Sequence, residues 1–516
     1  MTANSNLSRL MGVVCAALML CLPALWNGLP FFYPDTPTYL RGAQMTAQGI
    51  ASRLSPRNGT VTTHAPQAPV AEGASAAPRG LTSLEDRIVL AGRSVYYGAL
   101  LYAAQAAGSL WLAVIAQALC VAAVLHLLMV RLWRVTAGAF LGTTAVLSLA
   151  SPLAVYTGLL MPDVFAGLAI LAFAALSVYW RQLTRVERGL LAGVLLFGLL
   201  SHASHVAIAA VLLAGVLALR LWNARWQGVS GPACTLTGLC IVIAIAAEWA
   251  FAAGVNQAVG APPLRLPYPT ARLIEMGPGT DLLAQRCPEA GYAVCAYRAN
   301  YPTAWDAFLF STDPARGTFA LADAETKRRI VAEQWLFVRD VIVHDPLGVL
   351  RGWWVDLGRQ LLSFRVDVWS FGARQLAMFE GRVPPPTFAA LQASKGLDAP
   401  GYNQVMTAAT YISTGMAVLL GLWWAWRRRA GAVARVPQRL EQVAGIALAG
   451  VAVNALVCVT AASSLDRFQS RVIWLIPFFA LTVLALAWIR RTTHAPMPRA
   501  GTLKPATGTG MEGAAS

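Results

Sequence analysis

Charged residues are scarce in this sequence: they occupy 12% of its 516 positions, against about 25% in soluble proteins. Hydrophobic residues make up 57%, and the mean hydropathy is +0.55. Several apolar segments reach the roughly 20 residues that cross about 30 Å of hydrocarbon as a helix. The composition therefore excludes an ordinary soluble enzyme and predicts an all-α, polytopic membrane protein.

Several catalytic and nucleic-acid-binding patterns are also missing. The chain has no Walker loop, no GxGxxG after a strand pattern, no HExxH and no GxSxG. ATP-driven transport and hydrolysis by these routes therefore lose support. Zinc-finger spacing and basic helices with interleaved aromatic residues are absent as well. The formal charge of +16 is interpreted as a set of membrane-topology signals, with no nucleic-acid partner expected.

About ten hydrophobic segments are predicted to cross the membrane. They cover residues 10–29, 110–131, 137–156, 163–180, 188–201, 204–221, 233–255, 406–426, 441–462 and 471–489. The stretch 188–221 is divided because His202, Ser204 and His205 interrupt it, although the sequence leaves open whether it forms one span or two.

Arginine clusters indicate how these segments are oriented. They follow the second, fourth, sixth, eighth and tenth segments, and cytoplasmic loops are the ones enriched in Lys and Arg. Both termini are therefore predicted to be cytoplasmic. The clusters are Arg131 and Arg134; Arg181, Arg185 and Arg188; Arg220 and Arg225; Arg427, Arg428, Arg429, Arg435 and Arg439; and Arg490 and Arg491.

This topology divides the chain into four parts. Residues 1–255 form an N-terminal transmembrane module that includes a large first external loop (33–94). Residues 256–405 form a small external domain that is expected to be mostly helical. Residues 406–490 supply the C-terminal transmembrane helices. The tail 491–516 and the loop segment 54–81 are rich in small residues and proline, which predicts disorder.

The external domain contains two cysteines in the polar stretch CPEAGYAVC. Cys287 and Cys295 are close together in an exported segment, which favours a disulfide. No histidine or second cysteine pair is near them, so metal ligation is the weaker interpretation and no metal site is assigned. An amphipathic region that follows is expected to rest aromatic side chains on the membrane surface. Those side chains are Trp335, Phe337, Trp353 and Trp354.

The string FFYPDTPTYL, residues 31–40, places an acid just beyond the first span. A helical turn that starts there would put Asp35 and Tyr39 on one face at i,i+4 spacing. Alternatively, Asp35 is a helix N-cap, since Asp followed two residues later by Pro37 is typical of a helix start. The two interpretations are compatible, because a rigidly held carboxylate at a membrane surface is also a good general base.

Further ionisable residues lie at the predicted outer ends of spans. Asp163 begins an apolar segment, where an ionisable group is costly and indicates function; the alternative is again helix capping. His202 and His205 are candidates for substrate contact, for metal binding or for proton relay. Their alternative interpretation is a pair of polar residues at a helix break.

An acid in the first external loop, followed four residues later by Tyr, resembles the GT-C glycosyltransferases. These polytopic enzymes use sugars linked to polyprenyl phosphates, and they include the protein O-mannosyltransferases and the aminoarabinose transferases. Residues 93–98 (RSVYYG) resemble an R-x-P-x-Y-P-type string before the second span, with Tyr97-Gly98 where Tyr-Pro is usual. Residues 161–163 (MPD) resemble the family's second external acid. The resemblance covers the topology along most of the chain, and its motifs are short.

The resemblance implies a GT-C-like glycosyltransferase of the bacterial inner membrane, with its site on the periplasmic face. The donor would be a polyprenyl-phosphate-linked sugar, and the acceptor a lipid, a glycan or a protein, among membrane lipids. Asp35 would be the base, Asp163 a supporting acid, and Tyr39 part of the substrate site. The family often has a second acid beside the first. Thr36 stands there in this chain, so a divalent cation is left open.

A departing phosphate needs positive charge to stabilise it. Arg467 and Arg471 are the main candidates, because they lie on the predicted external side against the positive-inside trend. The alternative is that they pair with Asp466 or with lipid headgroups. Arg93 is a further candidate.

Two other functions are compatible with the sequence. A transporter or flippase for lipid-linked sugars would place charges in a central cavity and often contain internal repeats. No clear repeat is visible, and charges within the spans are scarce. A membrane assembly factor would instead act through the external domain 256–405.

Overall fold

The computed structural model describes residues 2–54, 85–223, 226, 228–367, 376–377, 379–398, 400–430 and 436–493. Nearly all of the predicted insertion at 54–81 lies outside these ranges, as do Arg225, Arg435 and residues 494–516 of the predicted tail. The described part is helical, and its only β-structure is two isolated bridges.

The helices follow one another along the chain. They are α1 (Thr2–Asn27), α2 (Thr36–Leu54), α3 (Val95–Ala106), α4 (Trp111–His126, continued by a π-helix Leu127–Leu132), α5 (Ala137–Ala150), α6 (Leu153–Gly158), α7 (Val164–Tyr179), α8 (Arg185–Ser201), α9 (Ala203–Trp222), α10 (Gly231–Val259), α11 (Tyr268–Met276), α12 (Pro278–Arg286), a 3₁₀-helix (Ala293–Asn300), α13 (Trp305–Phe310), α14 (Ala324–His344), α15 (Pro346–Leu362), α16 (Pro385–Gln392), a 3₁₀-helix (Lys395–Asp398), α17 (Pro400–Arg429), α18 (Gln438–Ala461), α19 (Asp466–Ile473) and α20 (Leu475–Thr493).

Seven helical segments of the described chain are long and apolar enough to cross a membrane. They are α1 from Leu7, Trp111–Leu132, α9, α10, α17, α18 and Asp466–Arg491. Helices α5 and α7 are apolar but shorter, and α8 carries Arg185, Glu187 and Arg188 near its start. The described residues thus form an all-α structure with seven helical segments suited to crossing a membrane.

Two predicted segments differ in their continuity. The segment 137–156 is interrupted, because Ser151 is extended before Pro152 and the chain restarts as α6. A following proline disfavours helical backbone at the residue before it, which explains the break. The stretch 188–221 forms two helices, since His202 is extended between α8 and α9, and of these α9 is long and apolar enough to cross a membrane.

Helix α7 lies at the centre of the bundle. All 16 of its residues are buried, as expected for a helix that is apolar on every face. It packs against α4, α8, α10 and α18. Gly167 lets the indole of Trp474 approach closely, since a Cβ there would lie 2.7 Å from Trp474 Cζ2. Asp163 immediately precedes this central helix.

The first loop begins with a more regular structure than its polar composition predicts, over the residues that the structure describes. Helix α2 begins directly after Asp35 and packs along α3. The close approach depends on Gly98, because a Cβ at this position would lie 2.5 Å from the carbonyl oxygen of Tyr39. Gly98 therefore has a packing reason in this chain. The pairing of α2 with α3 also brings together two residues that lie just before these helices, Asp35 and Arg93.

Helices α11 to α15 have a hydrophobic core of their own. Phe337 is 1% exposed within it, and Trp353 is half-buried against it. The expectation that Phe337 rests on the membrane surface is therefore wrong, and for Trp353 it stays a prediction. Trp335 and Trp354 are exposed.

The segment 256–405 also contains a disulfide between Cys287 and Cys295, eight residues apart. Loops of this length contribute about 2–3 kcal/mol by restricting the unfolded chain. We expect the C287S/C295S variant to show faster hydrogen exchange in residues 287–300. Exchange in α17 and α18 is the internal control and is expected to stay the same. Identical exchange in the variant and the unsubstituted protein would contradict a stabilising role for the bond.

Candidate functional site

Backbone contacts bring Asp35 to the same end of the bundle as Asp163. A short parallel bridge pairs Phe31 with Leu159. Within it, the Phe31 amide donates to the carbonyl oxygen of Gly158 at 2.9 Å. The chain after the first span therefore runs alongside the chain that leads into α7.

Arg467 reaches the same place from the C-terminal half of the chain. Gln360 of α15 fixes the start of α19, since its amide group donates to the Leu465 carbonyl and accepts from the Leu465 amide, both at 2.8 Å. Arg467 then donates from Nε and Nη2 to the two carboxylate oxygens of Asp163, each at 3.0 Å. Bidentate pairs of this kind fix geometry as well as charge.

The carboxylate of Asp35 lies between two guanidinium groups. Its Oδ1 is 2.6 Å from Arg93 Nη2, and its Oδ2 is 3.7 Å from Arg467 Nη1. The side chains of Asp35, Arg93 and Arg467 are 22%, 23% and 16% exposed. The ring centroid of Tyr33 is 4.3 Å from Arg467 Cζ, a cation–π contact that orients the guanidinium. These three side chains are therefore partly accessible to solvent.

Asp163 is enclosed instead. Its side chain is 1% exposed and makes no capping hydrogen bond to α7, so the capping interpretation is wrong. Its partners are Arg467 and, at 3.9 Å, Arg471. An acid in this position does not meet a substrate directly, which corrects the expectation of a supporting catalytic acid. Asp163 holds the arginines in place.

Arg471 is also buried, at 0% exposure. Its Nη2 donates to Asn454 Oδ1 at 2.8 Å and to Ser204 Oγ at 3.0 Å. Its Nη1 has no hydrogen-bond partner among the described residues, and the nearest carboxylate to it is that of Asp163. Because the guanidinium is enclosed, direct contact of Arg471 with a substrate phosphate is not supported.

By its position in the sequence, Asp466 is an alternative partner for these arginines. Within the described ranges neither Arg467 nor Arg471 forms an ion pair with it. The Asp466 carboxylate instead accepts a hydrogen bond from the Arg365 amide at 3.0 Å. Pairing with Asp466 is therefore wrong as an explanation of the two arginines.

The two histidines lie at a helix break. His202 caps α9, and its Nδ1 accepts from the Ser204 amide at 3.2 Å. His205 is buried, and its Nδ1 lies 2.8 Å from the carbonyl oxygen of Gly198. These contacts support the interpretation as polar residues at a break. Direct substrate contact by His205 is not supported, because its ring is enclosed.

Tyr39 is buried as well, at 2% exposure. Its ring packs edge-on against Tyr97, with 5.2 Å between the centroids. Burial is the main cause that raises the pKa of Tyr39, so its hydroxyl stays protonated at neutral pH. Tyr39 thus packs behind Asp35 on the first turn of α2, and substrate binding through its ring is not supported.

We call Asp35, Asp163, Arg93, Arg467 and Arg471 the arginine–aspartate cluster. Three guanidinium groups and two carboxylates give it a formal charge of +1. Burial lowers the pKa of Arg93, but the Asp35 carboxylate raises it, and the net pKa lies above the ordinary value. Arg93 therefore stays positive, and the cluster has a surplus of positive charge that suits an anionic ligand.

A divalent cation does not fit this cluster. Both carboxylates already face guanidinium groups, at 2.6 Å for Asp35 and 3.0 Å for Asp163. The hydroxyl of Thr36, the residue beside Asp35, donates to the Leu160 carbonyl at 3.2 Å. Within the described ranges, no group of three or more His, Cys, Asp or Glu residues could hold a metal ion. No step is therefore assigned to a metal.

The sequence interpretation missed several residues that shape the cluster. Asn454 and Ser204 hold Arg471, and Tyr33 packs on Arg467. Asn454 could have been recognised from the sequence, because it is a polar amide in the middle of an apolar span. The contact of Tyr33 with Arg467 joins two positions far apart in the chain, so no local pattern indicates it.

Comparison with known proteins identifies no relative of this chain. No protein family model, curated protein or solved structure matches it. Its function is therefore inferred from the geometry and charge of the arginine–aspartate cluster.

Proposed function

We propose that the chain is a membrane glycosyltransferase of the GT-C type. It moves a sugar from a polyprenyl-phosphate donor to a hydroxyl group of a lipid, a glycan or a protein. The observation that carries the proposal is an accessible carboxylate, Asp35, between two accessible guanidinium groups. Such a site combines a base for the acceptor with positive charge for the leaving group.

The chemical step places each group in a role. The acceptor oxygen forms a bond to the anomeric carbon while the bond from that carbon to the phosphate oxygen breaks. The acceptor's proton passes to Asp35, and the electron pair leaves with the phosphate. Arg93 and Arg467 stabilise the negative charge on that phosphate.

Asp163 and Arg471 act one layer behind the reacting atoms. Asp163 holds Arg467 through two hydrogen bonds, and Arg471 helps to neutralise Asp163 inside the bundle. They are positioning residues, because both are buried. Residues that fix a clamp in this way support catalysis by keeping the reacting groups in register.

The proposal also includes the orientation of the chain in the membrane. Ten spans with both termini in the cytoplasm would put the arginine–aspartate cluster and the external domain on the periplasmic side of a bacterial inner membrane. The alternating arginine clusters support this orientation. Helices α5, α7 and α8 would be the spans beyond the seven that length and composition support. The complete burial of α7 among its neighbours accounts for the shorter apolar length of that helix.

Replacing Arg93 by glutamine is expected to weaken binding of a polyprenyl monophosphate by about 10- to 100-fold. The variant loses a hydrogen bond to a charged group, which is worth about 1.5–3 kcal/mol. Binding can be measured by titration calorimetry on purified protein in detergent. Arg316→Gln is the matched control, because Arg316 is an exposed arginine of the external segment. Equal affinities for the two variants would contradict the role of Arg93.

A transfer assay tests the function itself. Purified protein in lipid nanodiscs is given polyprenyl-phosphate sugars labelled in the sugar, together with a lipid and glycan extract as acceptor. We expect release of polyprenyl monophosphate and movement of the label to an acceptor. In liposomes, movement of intact donor across the bilayer without release of polyprenyl monophosphate would contradict the proposal and favour a flippase.

A further inference from the structure

Helices α14 and α15, which are joined at Asp345 and form the α14–α15 hairpin, carry an exposed apolar surface. On α15, Leu347, Leu350, Trp354 and Leu361 recur at spacings of three, four and seven, so they share one face. Leu347, Leu350 and Trp354 are 76%, 59% and 74% exposed. Val343, just before the turn from α14, is exposed as well. We call these five residues the hairpin stripe.

The C-terminal end of α15 is fixed to a membrane-spanning helix. The Tyr411 hydroxyl of α17 donates to the Leu362 carbonyl at 2.7 Å, and the Tyr411 ring stacks on Phe364 with 4.0 Å between centroids. The Val366 amide donates to the Thr407 hydroxyl of α17 at 3.0 Å. The C-terminal end of the hairpin stripe therefore lies beside the transmembrane bundle, next to α17.

The position of Tyr411 along α17 indicates how deep in the membrane this attachment lies. Tyr411 precedes Arg427 by 16 residues, which is about 24 Å of helix. Arginines at the end of a span stay at the headgroup level, and the hydrocarbon layer is about 30 Å thick. If the cluster at Arg427 marks one boundary, the attachment point at Tyr411 lies close to the opposite one.

The apolar surface is continuous across the attachment. Leu362 is exposed, and so is the outward face of α17 that continues from it. That face consists of Val405, Ile412, Met416 and Leu419. Arg351 and Arg359 are exposed on α15 beside the hairpin stripe, in reach of lipid phosphates through their long side chains.

We infer that the hairpin stripe is embedded in the leaflet opposite the arginine cluster of α17. The occupant of the hairpin stripe is glycerophospholipid, with acyl chains against Leu350 and Trp354 and phosphate groups beside Arg351 and Arg359. The hairpin stripe is continuous with the exposed apolar face of α17, which faces lipid if α17 spans the membrane. For this reason lipid is a better occupant than a protein partner. This inference does not depend on the proposed sugar transfer.

Nitroxide labels on single introduced cysteines test the inference. The full chain carries L350C or W354C in nanodiscs of phosphatidylethanolamine and phosphatidylglycerol, and collision rates with oxygen and with a water-soluble nickel chelate are measured. I412C on α17 is the lipid control, and E325C at the exposed start of α14 is the water control. The unsubstituted protein gives the labelling background of its six free cysteines.

The expected result is loss of nickel accessibility at residues 350 and 354, down to the level of I412C, with high oxygen accessibility. Nickel accessibility equal to that of E325C would overturn the inference, because the hairpin would then lie in water. Exclusion of both reagents would also overturn it, because protein would cover the surface.

Discussion

Replacing Asp35 by asparagine is expected to lower the rate of sugar transfer by about 100- to 10,000-fold, the factor that a positioned base contributes. The amide keeps the size of the side chain but does not take up the acceptor's proton. The measured quantity is the rate at which polyprenyl monophosphate is released, divided by the amount of folded protein. The loss of rate arises in the chemical step, because Arg93 and Arg467 remain in place to bind the donor.

The control for this variant is Asp281→Asn, which removes a carboxylate from the first turn of α12. It is expected to transfer sugar at the wild-type rate. If D35N also retains near wild-type transfer, Asp35 is not the base. If both variants lose transfer to the same extent, a general effect of external charge explains the loss, and the specific role of Asp35 is contradicted.

The second large effect is expected at Asp163. Asparagine at this position leaves Arg467 and Arg471 without their buried counter-charge, and Arg471 is completely enclosed. Removing one partner of a buried ion pair costs about 3–5 kcal/mol, because a charge is left uncompensated in a medium of low dielectric constant. We expect D163N to lower the free energy of unfolding in detergent by that amount.

Asp466→Asn is the matched comparison, because it removes one negative charge directly after Leu465, the residue that Gln360 fixes. The Asp466 side chain accepts a hydrogen bond from the Arg365 amide at 3.0 Å. Weakening this bond is expected to cost about 1 kcal/mol. Equal losses in D163N and D466N would contradict the burial of charge as the source of the effect.

Much of the helical framework could be predicted from hydropathy alone. Each of the ten predicted segments overlaps a helix, and the break at His202 was visible as a polar interruption of an apolar run. The break before Pro152 also left a signal, since proline restricts the residue that precedes it. The regular helix α2 was harder to predict, because its stability comes from packing on α3 rather than from its own composition.

The sequence indicated which residues belong to the site, but it did not indicate which of them contact one another or which are buried. Asp163 and Arg467 are 304 positions apart, so no local pattern distinguishes a helix cap from an ion pair. Arg467 and Arg471 share one helical face by their spacing. One turn of helix, about 5.4 Å, nevertheless separates an accessible guanidinium from an enclosed one. The burial of each guanidinium depends on the segments that pack around the helix, which local sequence does not reveal.

The Asp35 carboxylate occupies the place between two arginines that an anionic donor would need. In this structure it is the anion that lies between Arg93 and Arg467. We propose that the donor phosphate takes this place and releases the carboxylate toward the acceptor. Asp35 and the phosphate then compete for the same two arginines, so removal of the carboxylate would improve phosphate binding while it abolishes transfer.

The most direct test is the affinity of purified wild-type and D35N protein for a polyprenyl monophosphate, measured by titration calorimetry in one detergent. Competition for Arg93 and Arg467 predicts that D35N binds about tenfold more tightly, a difference of about 1.4 kcal/mol. Equal or weaker binding by D35N would contradict the placement of the donor phosphate between these two arginines.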